Sequence, residues 1–291
     1  MARPLRSQAG KVIAVTGGGR GIGAATAAAL ARQGAKVAIG DLELDLAKQT
    51  AERLGGPAIA LPLDVTDRAA YTAFLDDVEA RLGPIDVLIN NAGIMPIGPI
   101  EQESDHTTAH QLAINLHAVI HGGREAVTRM KPRRTGHIVN VASAAGKIPV
   151  AGGATYAATK FGVVGFSESL RGELRGTGIE VTCVMPGIVR TELAAGVKDN
   201  PTFKTVTPAD VAAEIVGALQ RPRFEVFVPR AIGPTIRFAL LMPRRVADWL
   251  QRTLKADRMM LDAAGSRERA EYEARAAASA PKTDQELGGQ A

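Results

Sequence analysis

With 291 residues, 46% apolar and 22% charged, the chain is long enough to bury one large core or two modest ones and too apolar to be disordered. Its net charge of +5 comes with no basic run interleaved with aromatics before Pro222, which argues against a nucleic-acid partner. One cysteine, Cys183, excludes an internal disulfide. With no signal-peptide core and no run of about 18 uncharged apolar residues, the chain reads as a cytoplasmic protein with no transmembrane segment.

Short Val/Ile-rich runs at 12–16, 36–40, 59–63, 87–90, 137–142, 180–185 and 225–228 read as strands, near-continuously apolar as in a parallel sheet covered on both faces. Between them, 22–33, 44–54, 68–82, 105–130, 155–176 and 208–219 read as helices. The βαβ alternation predicts an α/β fold, a doubly wound parallel sheet of Rossmann type, over 11–228 as a single domain. A helical C-terminal extension is expected over 229–275, then a frayed tail from Ala276 to 291.

The first strand runs into Thr16-Gly17-Gly18-Gly19-Arg20-Gly21-Ile22-Gly23 and then a helix. Glycines let the backbone turn sharply against a pyrophosphate, and the helix N-terminus offers it free N–H groups. The strand before and helix after are the context this motif needs. Asp41, ending the second strand, is placed to accept from the adenosine ribose hydroxyls and to repel a 2′-phosphate; its plainer reading is a loop carboxylate or helix cap. Arg20 pulls toward NADP, but one carboxylate aimed at the ribose favours NAD. Asp64, with Val65 beside it, closes the third strand, either against the adenine or as a simple strand-end turn.

Tyr156 and Lys160 stand four apart in a helical stretch and share a face. Ser143 follows the fifth strand. A tyrosine titrates near ~10 and is a poor base at neutrality, but an ammonium one turn away favours its phenolate. Ser143 would hold a carbonyl oxygen against Tyr156, which exchanges the proton while a nicotinamide exchanges the hydride. Alone, a Tyr-x-x-x-Lys pair is commonly a surface feature; its place after a nucleotide fold and a strand-terminal serine reverses that judgement.

At these residues the chain resembles the short-chain dehydrogenase/reductase family. The resemblance covers about 11–228 and rests on Thr16 to Gly23, Asp64, Asn90-Asn91-Ala92-Gly93, Asn115, Ser143, Tyr156 with Lys160, and Pro186-Gly187 followed by Thr191. It implies that Asn90 to Gly93 steady the central sheet and line the adenosine side. Asn115 would break its helix locally and hold a water in a proton relay from Lys160. Lys160 would bind the nicotinamide ribose, and Ile188 with Thr191 the carboxamide. It also implies a two-fold contact through the helices 105–130 and 155–176, hence a homodimer or homotetramer.

His106, His110, His117 and His121 fall at helical spacings, but no carboxylate or cysteine pattern completes a metal site, so none is expected. The run 131–134 reads as a solvated turn. Residues 231–254 combine an apolar face, including Phe238, Leu241 and Trp249, with interspersed arginines. That pattern fits a substrate cover, a subunit contact, a membrane-surface helix or plain packing, which leaves peripheral membrane contact open. The helix 267–277 reads as a solvated surface helix. Substrate contacts are expected from 94–100, 144–153, the flexible stretch 188–206 and the segment after Val228. The leading expectation is an NAD-dependent enzyme acting on a lipophilic alcohol or carbonyl. An NADP-dependent ketone reductase and a non-catalytic nucleotide-binding regulator are the rivals.

Overall fold

A computed structural model describes residues 4–197, 205–243, 245–246, 253 and 259–279. The strands β1 (Val12–Thr16), β2 (Lys36–Asp41), β3 (Ile59–Pro62), β4 (Val87–Asn90), β5 (Gly136–Val141), β6 (Ile179–Pro186) and β7 (Glu225–Val228) form one sheet. Their order is β3-β2-β1-β4-β5-β6-β7, and every pairing is parallel. The continuous apolar runs are explained by this topology, because helices bury both sheet faces. On one face Ile13, Val15, Val37, Ile39 and Val139 pack with helices α1 (Gly21–Ala31), α2 (Leu44–Leu54) and α7 (Pro208–Gln220). On the other, Ala14, Leu88, Ile138 and Val181 pack with α3 (Arg68–Leu82), α5 (Ala118–Met130) and α6 (Ala154–Glu173).

The strand order reverses between β1 and β4, so the chain segments leaving their carboxyl ends diverge and open a crevice. The helix expected as one span over 105–130 is α4 (Asp105–Leu112) and α5 joined by a π-helical turn, Ala113–His117. That turn carries Asn115, whose amide holds the backbone of Ile94 at both its N–H (2.9 Å) and its carbonyl (2.8 Å). Such one-turn bulges recur at functional sites.

A buried polar chain crosses the sheet below the crevice. Tyr71 donates to Asn90 (2.5 Å), Asn90 to Asn140 (2.8 Å), Asn140 to Ser167 (2.9 Å), and Ser167 to the carbonyl of Val163 (2.6 Å). Each buried donor is satisfied, so the chain fixes β4, β5 and α6 in one register rather than costing stability.

The described residues C-terminal to β7 include the helices α8 (Ile232–Leu241), α9 (Met259–Ala264) and α10 (Arg267–Ala278). Helix α10 contradicts its reading as a solvated surface helix. Arg269, Tyr272 and Ala276 are buried, and the helix lies across the loops after β4 and β6. The fraying expected from Ala276 does not begin there either, since the helix holds through Ala278; residues 280–291 lie outside the described residues. In α8, Ile232 and Ile236 turn inward while Phe238 and Leu241 are 65% and 84% exposed, so these two do not form the expected cover. Trp249 lies outside the described residues. Among the described residues no helix is long and apolar enough to cross a membrane.

Candidate active site

The loop after β1 is shaped by steric need. Gly17 has φ +63°, and a Cβ there would stand 2.8 Å from Ala92 Cα; at Gly23 a Cβ would meet the Gly17 carbonyl at 2.2 Å. The loop therefore closes on itself and on the loop after β4. Asn91 locks that junction by donating to the carbonyls of Thr16 (3.0 Å) and Gly17 (2.9 Å), while the N–H groups of Asn91 and Ala92 donate to Thr16 Oγ1. Helix α1 begins at Gly21 with no side-chain cap and no acidic residue in its first turn. Its free N–H groups and positive dipole end suit a pyrophosphate. A glycine cradle joined to an uncapped helix start thus fits a dinucleotide.

Asp41 ends β2 and accepts from Gly19 N (2.8 Å) and Glu43 N (3.1 Å), so its carboxylate braces the glycine loop. Arg20 is held between two carboxylates, Glu43 and Glu192, the latter at 2.7 Å. Asp64 accepts from Thr66 N (2.8 Å) and Thr66 Oγ1 (2.7 Å), a strand-end turn of the plainer kind foreseen for it, while still lining the crevice with Val65.

Ser143, Tyr156 and Lys160 converge where β5 and α6 meet. Ser143 follows β5 in an extended conformation, and its Oγ accepts from Ala145 N (3.1 Å). Lys160, one helical turn beyond Tyr156, donates to the Val141 carbonyl (3.1 Å) with its Nζ 5.7 Å from the Tyr156 ring centroid. Both side chains are buried. Burial raises the phenol pKa of Tyr156, and the Ser143 hydrogen bond partly offsets it. Burial pulls the Lys160 ammonium down to about 8. A Cβ at Gly93 would press on the Asn115 amide oxygen at 3.2 Å.

These residues line one cavity of about 1580 Å³, larger than the roughly 300–1,000 Å³ of a typical small-ligand pocket. Gly17, Arg20, Gly21, Ile22, Asp41, Asp64, Val65, Asn91, Ala92, Gly93, Ser143, Tyr156, Lys160, Pro186, Gly187, Ile188 and Thr191 all border it. Gly19, Gly23 and Asn115 stand behind its wall instead of on it. Asn115 is fully buried there and also donates weakly to Thr159 Oγ1 (3.3 Å). The far end is apolar, with Ile94, Met95, Ile97, Ile148, Val150, Leu193, Ile232 and Met260. Tyr272, Arg275, Ala276 and Ser279 of the C-terminal region complete it. Sequence reasoning missed this last wall. The available signal was the spacing of Tyr272 and Ala276 on one helical face, masked by six surrounding charges at 267–275.

Among the described residues no group of three or more His, Cys, Asp or Glu is gathered to hold a metal. His106 and His110 pack with ring centroids 6.2 Å apart. The lone thiol, Cys183, is buried in β6 and raised to about 12 by burial, so it behaves as a small apolar side chain.

A family model described as short chain dehydrogenase matches residues 11–202. The chain is 40% identical over 195 residues to D-threitol dehydrogenase of Mycolicibacterium smegmatis, covering 66% of this chain and 75% of that one. It is 36% identical over 191 residues to the 3-oxoacyl-(acyl-carrier-protein) reductase FabG of Salmonella typhimurium, covering 66% and 78%. It is also 37% identical over 203 residues to the probable oxidoreductase EphD of Mycobacterium tuberculosis, a match covering 66% of this chain but 34% of that relative, about a third of its length. A crystal structure of a short chain dehydrogenase/reductase from Burkholderia phymatum in complex with NAD superimposes with a TM-score of 0.74 at 26% identity, covering 85% of this chain and 97% of that one. The chain belongs to the short-chain dehydrogenase/reductase family of oxidoreductases, which work with a nicotinamide cofactor.

Proposed function

We propose that this chain is an NAD-dependent dehydrogenase or reductase that interconverts a bulky lipophilic secondary alcohol and its ketone. The observation that carries the reading is the convergence of Ser143, Tyr156 and Lys160 in a buried cavity shared with the glycine cradle. Bound in that cradle, the nicotinamide supplies or accepts the hydride. Ser143 holds the substrate oxygen and Tyr156 gives or takes its proton, as general acid–base catalysis requires. The Lys160 cation favours the phenolate, and Asn115 shapes the path by which the proton is replaced from solvent. The remaining cofactor contacts are assigned to Gly17, Gly19, Gly21, Ile22 and Gly23 at the pyrophosphate. Asp41, Asp64, Val65 and Asn91 to Gly93 are assigned to the adenosine, and Pro186 to Ile188 with Thr191 to the nicotinamide.

NAD is favoured over NADP by Asp41, which ends β2 on the cavity wall, and by the pairing of Arg20 with Glu43 and Glu192. The apolar far wall supports a lipophilic substrate. We read 11–228 as the dehydrogenase unit and the helices beyond it as its cover. A homodimer or homotetramer is supported by the outward face of α6, where Phe161 is 44% exposed and Gly165 leaves open space. A screen of bulky secondary alcohols with NAD, followed by absorbance of the reduced cofactor, tests the reading. Turnover with at least one is expected, and failure of every alcohol and ketone with both NAD and NADP would overturn it.

A further inference from the structure

Helix α10 is stapled onto both substrate-side loops. Tyr272 Oη accepts from Met95 N (2.9 Å), and Glu273 Oε1 accepts from Ile97 N (3.2 Å). Arg269, with no exposed surface, donates through Nη1 to the Leu193 carbonyl (2.8 Å) and through Nε to Glu273 (2.9 Å). Its guanidinium lies 4.6 Å from the Tyr272 ring centroid, a cation–π contact that fixes the ring. The Tyr272 hydroxyl is therefore held from several sides.

That hydroxyl has a proton left over. Its oxygen accepts the Met95 N–H, yet among the described residues nothing accepts its O–H. Tyr272 is 94% buried and borders the same cavity as Met95, Ile97, Tyr156 and Met260, and no hydrogen bond among the described residues takes up its O–H. A buried donor without an acceptor is unfavourable, and a site built around one discriminates against ligands that leave it unpaired.

We propose that Tyr272 is a specificity-determining residue that donates a hydrogen bond to a second oxygen of the substrate, distinct from the oxygen held by Ser143 and Tyr156. The substrate class is then a bulky apolar ketone or alcohol carrying another acceptor oxygen, such as a keto, ether or ester group. This deepens the proposed function and rests on it for which oxygen reacts.

The test uses the full chain with NAD bound, a complex that cannot reduce a ketone, and calorimetric titration with a decalone and the isomeric decalindiones. At least one dione should bind the unaltered protein about tenfold tighter than the decalone. In Tyr272→Phe that advantage should vanish while decalone affinity holds. Glu273→Ala, which frees the same loop but leaves the Tyr272 hydroxyl present, should weaken both ketones alike. No dione advantage in the unaltered protein, no binding of any dione, or an advantage that survives Tyr272→Phe overturns the proposal. Equal loss of both ketones in Tyr272→Phe does so too, since that is a structural effect. Turnover of the same ketones with NADH is read separately. Selective binding without reduction removes the reductase reading and leaves Tyr272, whereas reduction without selectivity does the reverse.

Discussion

Arg20 and Glu192 meet at 2.7 Å across the mouth of the crevice, joining the glycine loop to the segment after β6. Arg275 of the C-terminal helix reaches the same carboxylate at 3.2 Å, and Glu43 takes the other side of Arg20. The Arg20 guanidinium is therefore engaged by two carboxylates at the rim of the crevice.

Cofactor choice follows from this arrangement. NADH should bind at least about tenfold tighter than NADPH, roughly 1.4 kcal/mol. The double change Glu43→Gln with Glu192→Gln releases Arg20 and should narrow the gap mainly by improving NADPH. Titration of both cofactors against both proteins checks this; tighter NADPH binding to the unaltered protein would show that Arg20 decides.

The pH dependence of the reaction has a definite sign. In the proposed reaction, oxidation of an alcohol needs Tyr156 deprotonated and so speeds up as pH rises, while reduction slows. Burial holds the Tyr156 phenol high and the Ser143 hydrogen bond partly offsets it; in the proposed reaction the Lys160 cation, 5.7 Å from the ring centroid, favours the phenolate further. Lys160→Met should move the alkaline rise in kcat upward by about one pH unit or more and weaken NAD. A superimposable profile would remove Lys160 from that role.

His137 contributes a separate, structural pH effect. Its Nε2 lies 2.8 Å from Thr182 Oγ1, which itself donates to the Arg223 carbonyl, so the imidazole must donate through Nε2. Burial lowers its pKa to about 3, whereas in the unfolded chain it titrates near ~6.5. The unfolded state thus binds the extra proton between those values, and stability falls as pH drops through that window. Urea unfolding at pH 7.5 and pH 5 should lose about 2 kcal/mol to this group. His137→Val should flatten that difference, and an unchanged slope would contradict it.

What was legible in the sequence was what local pattern encodes. Uninterrupted Val/Ile runs placed every strand, and the glycine loop, Ser143, Tyr156 and Lys160 announced themselves by spacing within one strand–turn–helix unit. Contacts between distant segments were not legible. Arg269 and Glu273 look like an ordinary solvated i, i+4 pair, yet their partners are Leu193 and Ile97, 76 and 176 residues away. The Tyr71–Asn90–Asn140–Ser167 chain likewise exists only once the sheet aligns it. A cover was one of four roles that the hydrophobicity of 231–254 allowed, and helical phase turns Phe238 and Leu241 outward and gives the cavity Ile232 and Ile236.

The central claim is that Tyr156 exchanges the proton during hydride transfer to or from a nicotinamide. Tyr156→Phe keeps the ring packing and removes only the hydroxyl, so it isolates that claim. With an alcohol or ketone that the unaltered enzyme turns over, kcat should fall by about a thousandfold, within the range general acid–base groups contribute. The NADH affinity should stay within about twofold, roughly 0.4 kcal/mol. A Tyr156→Phe enzyme that keeps a tenth or more of its turnover would contradict the account.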